Sequence, residues 1–286
     1  GEHCNAAPGP CPPMNSPRSE RNEILVRLPS GAPRYRPLLF VHGAYAAAWC
    51  WEDHFLPFFA EAGYASHAIS LSGHGGSPGR KHLDSFSIAD YVRDVAAAAA
   101  ELPVPPVLIG HSMGGFVVQK YLEDHVAPGA VLMCAVPPQG LMSAALGLMF
   151  AKPGMMRDLN NLMRGGRSSL ETLREALFAQ PVEIDDLKRY YRLSQSESHR
   201  AIWDMSLFNL PRTARISRTP LLIQGAELDH LIPASLVEMT ARSYGADAHI
   251  FPGMGHGLML ERDWRKPAQQ ILDWLERLES DAEAGS

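Results

Sequence analysis

The chain has 286 residues and 31.3 kDa, with 46% hydrophobic and 20% charged residues. That is room for one large domain, or a domain with a modest insert, and it excludes wholesale disorder. A net charge of −5 and a pI near 6.2 give no support to a surface for nucleic acid or polyphosphate, and no stretch approaches the roughly 18 uninterrupted apolar residues of a membrane span.

Residues 1–20 read as an irregular tail, in which five of the first 17 residues are proline and no apolar period is present. The tail lacks a basic start followed by an apolar core, so no intact signal peptide is expected, and the expected setting is cytoplasmic. Four cysteines are too few for a disulfide scaffold at this length. Cys50 and Cys134 lie in apolar surroundings and read as buried thiols; Cys4 and Cys11 would pair only in an oxidising compartment. No paired Cys/His spacing appears among the 12 histidines, so no metal site is expected.

From Asn22 the chain changes character. Ile24–Leu28 reads as a strand and Pro37–Val41 as a short buried strand ending at His42-Gly43. A helical stretch over Trp49–Ala62 follows, then a strand over Tyr64–Leu71 that runs into Ser72-Gly73-His74-Gly75-Gly76-Ser77. Ser87 with Asp90 forms a capping box that opens a helix to about Glu101. Pro106–Gly110 is another buried strand, Met113–Asp124 a helix and Ala130–Cys134 a strand. Residues 137–210 contain no convincing strand. The alternation resumes with a strand at Pro220–Gln224, a helix at Ala234–Tyr244, a strand at Ala248–Phe251 and an amphipathic helix from Trp264 to Leu278.

Alternating strands and helices predict an α/β fold: a mostly parallel central sheet covered on both faces. Residues 21–136 and 211–286 form its core, and 137–210 a helical cap inserted after the strand at 130–134. Seven of the 12 methionines fall between Met133 and Met205. They fit either an ordinary helical core or a lid over an apolar ligand. The insert leaves from the C-terminal end of a strand, where open α/β sheets bind ligands, and this favours the lid.

Gly110-His111-Ser112-Met113-Gly114-Gly115 fits G-x-S-x-G between a buried strand and a helix. That context makes it a nucleophile elbow, a tight turn that holds the serine out at the sheet end. Serine needs a base to take its proton. His256, in Gly253-Met254-Gly255-His256-Gly257 after the last strand, is the best candidate; His230 and His249 lie near strand ends but lack the glycine context. The base needs an acid to fix its tautomer. Asp229 follows the strand at 221–224, and Glu227 in the same loop is the runner-up. For the oxyanion, the expected donors are the backbone N–H groups of Met113 and of Ala44, in the loop after the strand ending at Val41. Tyr45 and His111 are expected to line the substrate site. So are Met142 and Met149, from an insert rich in Leu, Met and Phe that points to an apolar acyl or alcohol pocket.

These residues resemble the α/β-hydrolase superfamily, in particular its small capped esterase, lipase and lysophospholipase-like branch. The resemblance is carried by Leu39-Phe40-Val41-His42-Gly43 with Trp49, by Ser72–Ser77, by Gly110–Gly115, by the Asp229 loop with Ile232-Pro233, and by Gly255-His256. It spans about residues 39–256. The order Ser112, Asp229, His256 is that of the superfamily. The resemblance implies hydrolysis of a small to medium apolar ester, thioester or lactone through an acyl-enzyme, with no cofactor, no nucleic-acid partner and a small-molecule substrate. The alternative is a receptor-like binder, or a non-hydrolytic protein of this fold with carbon–carbon lyase or perhydrolase chemistry. Dehalogenase and epoxide-hydrolase relatives place aspartate at the elbow, where this chain has Ser112. Hydroxynitrile lyases of this fold typically place lysine after the histidine, where this chain has Gly257.

Overall fold

The computed structural model describes residues 21–33, 36–164, 166–216 and 218–286, so the expectations for the tail and for Cys4 and Cys11 lie outside the described residues. Seven strands form one sheet: β1 (Ile24–Arg27), β2 (Leu38–Val41), β3 (Ser66–Ile69), β4 (Val107–His111), β5 (Ala130–Met133), β6 (Leu221–Ala226) and β7 (Ala248–Phe251). Their order is β1-β3-β2-β4-β5-β6-β7. Every pairing is parallel except that of β1 with β3. Among the described residues, one strand, β1, precedes β2.

Side chains along a strand alternate between the two faces of the sheet, and each face here has its own core. Leu39 and Val41 join Leu108, Phe116 and Val117 beneath helices α2 (Ile88–Ala100) and α3 (Met113–Tyr121). Leu38 and Phe40 join Val107 and Ile109 beneath α1 (Phe55–Glu61) and the C-terminal helix. The uniformly buried runs of β2, β4 and β5 are the reason these strands read as apolar rather than alternating.

Besides α3, which ends at Tyr121 rather than Asp124, two helices differ from their sequence readings. The stretch at 49–62 is broken into a short 3₁₀ turn, Ala48–Trp51, and α1. Pro57 has no N–H to donate and is tolerated only in the first turn of an α-helix, so α1 begins two residues before it. The last helix runs from Arg265 to Ala284, because its final acidic and alanine residues continue the helix past the buried face. The Ser87/Asp90 box is formed, with each side chain accepting from the other's backbone N–H.

Between β5 and β6 the chain is helical: α4 (Met142–Ala151), α5 (Pro153–Met163), α6 (Leu170–Leu177), α7 (Ile184–Leu193) and α8 (His199–Trp203), the last continuing into a π turn at Asp204–Phe208. Helix α9 (Ala234–Ser243) follows β6. No helix among the described residues is long and apolar enough to cross a membrane.

Candidate active site

Ser112 stands immediately beyond β4 at φ 54°, ψ −117°, a conformation that costs a non-glycine residue about 1–3 kcal/mol. The surrounding backbone holds it there. Its N–H donates to Met133 O at 3.0 Å, and its carbonyl accepts from Gly115 at 3.0 Å and Val136 at 3.2 Å. The glycines of the motif exist because backbone approaches backbone at this turn. A Cβ on Gly114 would stand 2.1 Å from the Val41 carbonyl oxygen, and one on Gly110 would stand 2.5 Å from that of Gly114. The Ser112 side chain is not used to cap α3, so its hydroxyl is left to the cavity that it lines.

His256 and Asp229 meet at the same end of the sheet. Asp229, at the β6 end, is buried; its Oδ1 accepts from Leu231 N at 2.8 Å and Ile232 N at 2.9 Å. Its Oδ2 accepts from His256 Nδ1 at 2.6 Å. With the Nδ1 proton committed to a carboxylate, the neutral ring presents an unprotonated Nε2. Glu227 is exposed and turned away, accepting from Gly253 N at 2.7 Å. His230 and His249 are exposed as well.

The His256 loop is braced from two sides. His111 Nε2 donates to the His256 carbonyl at 2.7 Å, and burial keeps that imidazole neutral, with a pKa lowered to about 3. The buried Glu261 carboxylate accepts from Gly255 N at 2.7 Å and also from Ala179 N at 3.0 Å, and Gly257 N donates to Leu177 O at 2.8 Å. The backbone at the end of α6 is thereby tied to the loop that carries His256. Nothing in the sequence around Glu261 distinguishes it from an ordinary helix-flanking acid.

Across the cavity lies the loop after β2. Buried His42 accepts from Leu71 N through Nε2 at 3.0 Å, so its Nδ1 carries the proton and donates to Gly43 O at 2.8 Å. Burial, and next to it the positive His74, lower its pKa to about 3. Fixing the Gly43 carbonyl also fixes the Ala44 N–H, which belongs to the same planar peptide. Among the described residues neither the Ala44 nor the Met113 N–H has an internal acceptor. Tyr45 follows at φ 66°, and its carbonyl accepts from Gln195 N of the insertion at 3.0 Å.

The returning stem of the insertion is bound to the Ser72–Ser77 turn through a buried ion pair. His74 Nδ1 faces the Ser72 carbonyl at 3.0 Å and Nε2 faces Glu197 Oε2 at 2.8 Å. Both ring nitrogens meet oxygen acceptors, so both carry protons and the ring is an imidazolium. Glu197 also accepts from Tyr91 OH at 2.7 Å and Ser198 N at 2.8 Å. Burial opposes both charges, and their mutual attraction prevails: the His74 pKa is raised and that of Glu197 lowered.

Ser112 opens onto a cavity lined by Ala44, Tyr45, His111 and His256 and roofed by the insertion. Met142 and Met149, expected from the sequence to line it, do not. Both are largely exposed, at 41% and 45%, while Leu141, Ala144, Ala145 and Leu148 face the cavity. These four recur at helical spacing, and the two methionines lie roughly 100° around α4 from them, on its exposed flank. Among the described residues, the side chains of His111, Cys134 and His256 are the group that brings potential metal-ligand atoms together, all within 4.8 Å. Two of the three are already engaged, His256 Nδ1 by Asp229 and His111 Nε2 by the His256 carbonyl. The Cys134 thiol is held protonated by burial and by the Asp229 carboxylate beside it.

Residues 38–269 match the model of the alpha/beta hydrolase family. A monoacylglycerol lipase of Mycolicibacterium smegmatis is 25% identical over 76% of this chain and 80% of its own length. The pFDCC methylesterase MES16 of Arabidopsis thaliana is 26% identical over 85% of this chain and 88% of its own. Among solved structures, the esterase RhEst1 from a Rhodococcus species superposes with a TM-score of 0.67 at 24% identity, covering 90% of this chain and 96% of that one. The esterase EaEST from Exiguobacterium antarcticum does so with a TM-score of 0.67 at 19% identity, covering 89% and 96%.

Proposed function

The chain belongs to the alpha/beta hydrolase family, and from that premise we propose that it hydrolyses carboxylic esters through an acyl-enzyme on Ser112. The observation that carries the proposal is the 2.6 Å bond between Asp229 and His256 Nδ1, which leaves a basic Nε2 on the cavity that the strained Ser112 also lines. Curated relatives named as a lipase and a methylesterase support ester chemistry.

In this mechanism His256 takes the hydroxyl proton as Ser112 Oγ bonds to the ester carbon. The carbonyl oxygen becomes an oxyanion between the Ala44 and Met113 N–H groups. The start of α3 adds the positive end of its dipole. The imidazolium, stabilised by Asp229, returns its proton to the departing alkoxide, and the alcohol leaves. Water, deprotonated by the same histidine, then releases the acid and restores the serine. Each step moves one proton and needs no cofactor.

The test is turnover of p-nitrophenyl esters together with fluorophosphonate labelling. Ser112→Ala is expected to lower turnover by at least ~10³-fold, as when one member of a cooperating set is lost, and to abolish the label. A label on another serine, or stoichiometric ligand binding without turnover, would refute the proposal.

A further inference from the structure

The space above Ser112 divides into two arms that share Ala44, Tyr45, Ser112, Leu159 and Leu231. One arm, about 110 Å³, includes His256 and runs between Trp49, Leu173, Ala176 and Leu177. The other, about 200 Å³, includes Met113 but not His256 and runs beneath α4 and α5, between Ala145, Leu148, Met156 and Met205. Leu159 of α5 and Leu231 of the Asp229 loop stand where the arms meet.

Resting on the acyl-enzyme reading, we propose that the larger arm receives the acyl chain and the smaller arm the alcohol. The preferred substrate class is then an ester of an extended apolar acid with a small alcohol. The argument comes from where each atom must be during the reaction. The leaving oxygen has to accept a proton from His256, so the alcohol departs through the arm that contains His256. The carbonyl oxygen points to the Ala44 and Met113 N–H groups, and the acyl carbon stays bonded to Ser112 after the alcohol has gone. The acyl chain therefore extends into the arm that contains Met113. That arm has about twice the volume, and its flexible methionines can follow a chain of variable length.

Two ester series separate the arms: one with a fixed alcohol and acyl chains from two to twelve carbons, the other with a fixed octanoyl group and alcohols from methyl to octyl. The wild type should rise in kcat/KM along the first series and fall along the second. Ala145→Trp, which fills the larger arm from a half-buried position, should lower the octanoate-to-acetate ratio at least ~10-fold, on the scale of one or more methylenes excluded from an apolar pocket. Met156→Ala, which enlarges the same arm and guards against misfolding of the tryptophan variant, should move the optimum to longer acids. Leu173→Ala should raise the octyl-to-methyl ratio of the alcohol series and leave the acyl optimum in place. If Leu173→Ala moved the acyl optimum, or Ala145→Trp and Met156→Ala moved the alcohol preference, the assignment of the arms would be overturned while the hydrolase reading stood. Absence of ester turnover in the wild type would overturn both.

Discussion

Removing Glu197 should loosen the insertion from the core. Glu197→Ala deletes the carboxylate that faces the His74 imidazolium at 2.8 Å, and with it the acceptor for Tyr91 OH and Ser198 N. Breaking a buried ion pair from one side costs about 3–5 kcal/mol. The lower end applies here, because His74 can shed its proton and still bond the Ser72 carbonyl through Nδ1. At roughly 1.7 °C per kcal/mol, from an unfolding entropy of about 2.1 cal/mol/K per residue, Tm should fall by about 5 °C, measured by near-UV circular dichroism. Glu197→Gln should recover most of the loss, since the amide oxygen still accepts and its NH₂ group donates to Nε2 of a neutral His74. The pH dependence has a definite sign. The raised His74 pKa stabilises fully below the unfolded value of about 6.5, and this contribution is lost as pH rises through the folded value. The lowered Glu197 pKa stabilises fully above about 4.3, and this is lost as pH falls through the folded value. The gap between wild type and Glu197→Ala should therefore be widest between about pH 4.3 and 6.5. A Tm for Glu197→Ala within ~1.5 °C of wild type at pH 5.5, less than about 1 kcal/mol by the same conversion, would refute the reasoning.

Asp229→Asn should lower kcat by ~10³–10⁴-fold by presenting the wrong His256 tautomer, whereas Glu227→Gln, which retains an acceptor for Gly253 N, should stay within ~2-fold, inside the roughly ±0.5 kcal/mol of ordinary surface changes; steady-state assays of both compare them directly. Gly114→Ala should fail to accumulate as folded protein, since its Cβ would enter the Val41 carbonyl; a soluble variant with native circular dichroism would contradict the close approach. Mandelonitrile should release cyanide no faster than buffer does, because among the described residues neither arm of the cavity is lined by lysine or arginine to assist a departing anion; release abolished by Ser112→Ala would overturn the hydrolase proposal.

The parallel sheet was legible in the sequence because its strands are short, uniformly apolar runs separated by helix signals, and the sheet is buried on both faces. The Ser112 turn was legible for a local reason too. Gly110 and Gly114 are required by contacts within the turn and with the strand beside it, so the requirement is written within a few residues of the serine. The choice of Asp229 over Glu227 as the partner of His256 was open in sequence, since both lie in one loop. The tertiary structure decided it by burying one and exposing the other. The face of α4 could not be read, because that helix is apolar all round, and an apolar period selects a face only when polar residues mark the other. Met142 and Met149 were misplaced for that reason. His74 and Glu197 are 123 residues apart, and Glu261 meets Ala179 across 82. Each contact exists only once the insertion has folded back on the sheet. Local pattern thus determined the strands and the glycine-lined turn at Ser112, while burial and long-range hydrogen bonding decided which acid meets His256, which face of α4 meets the cavity and what braces the His256 loop.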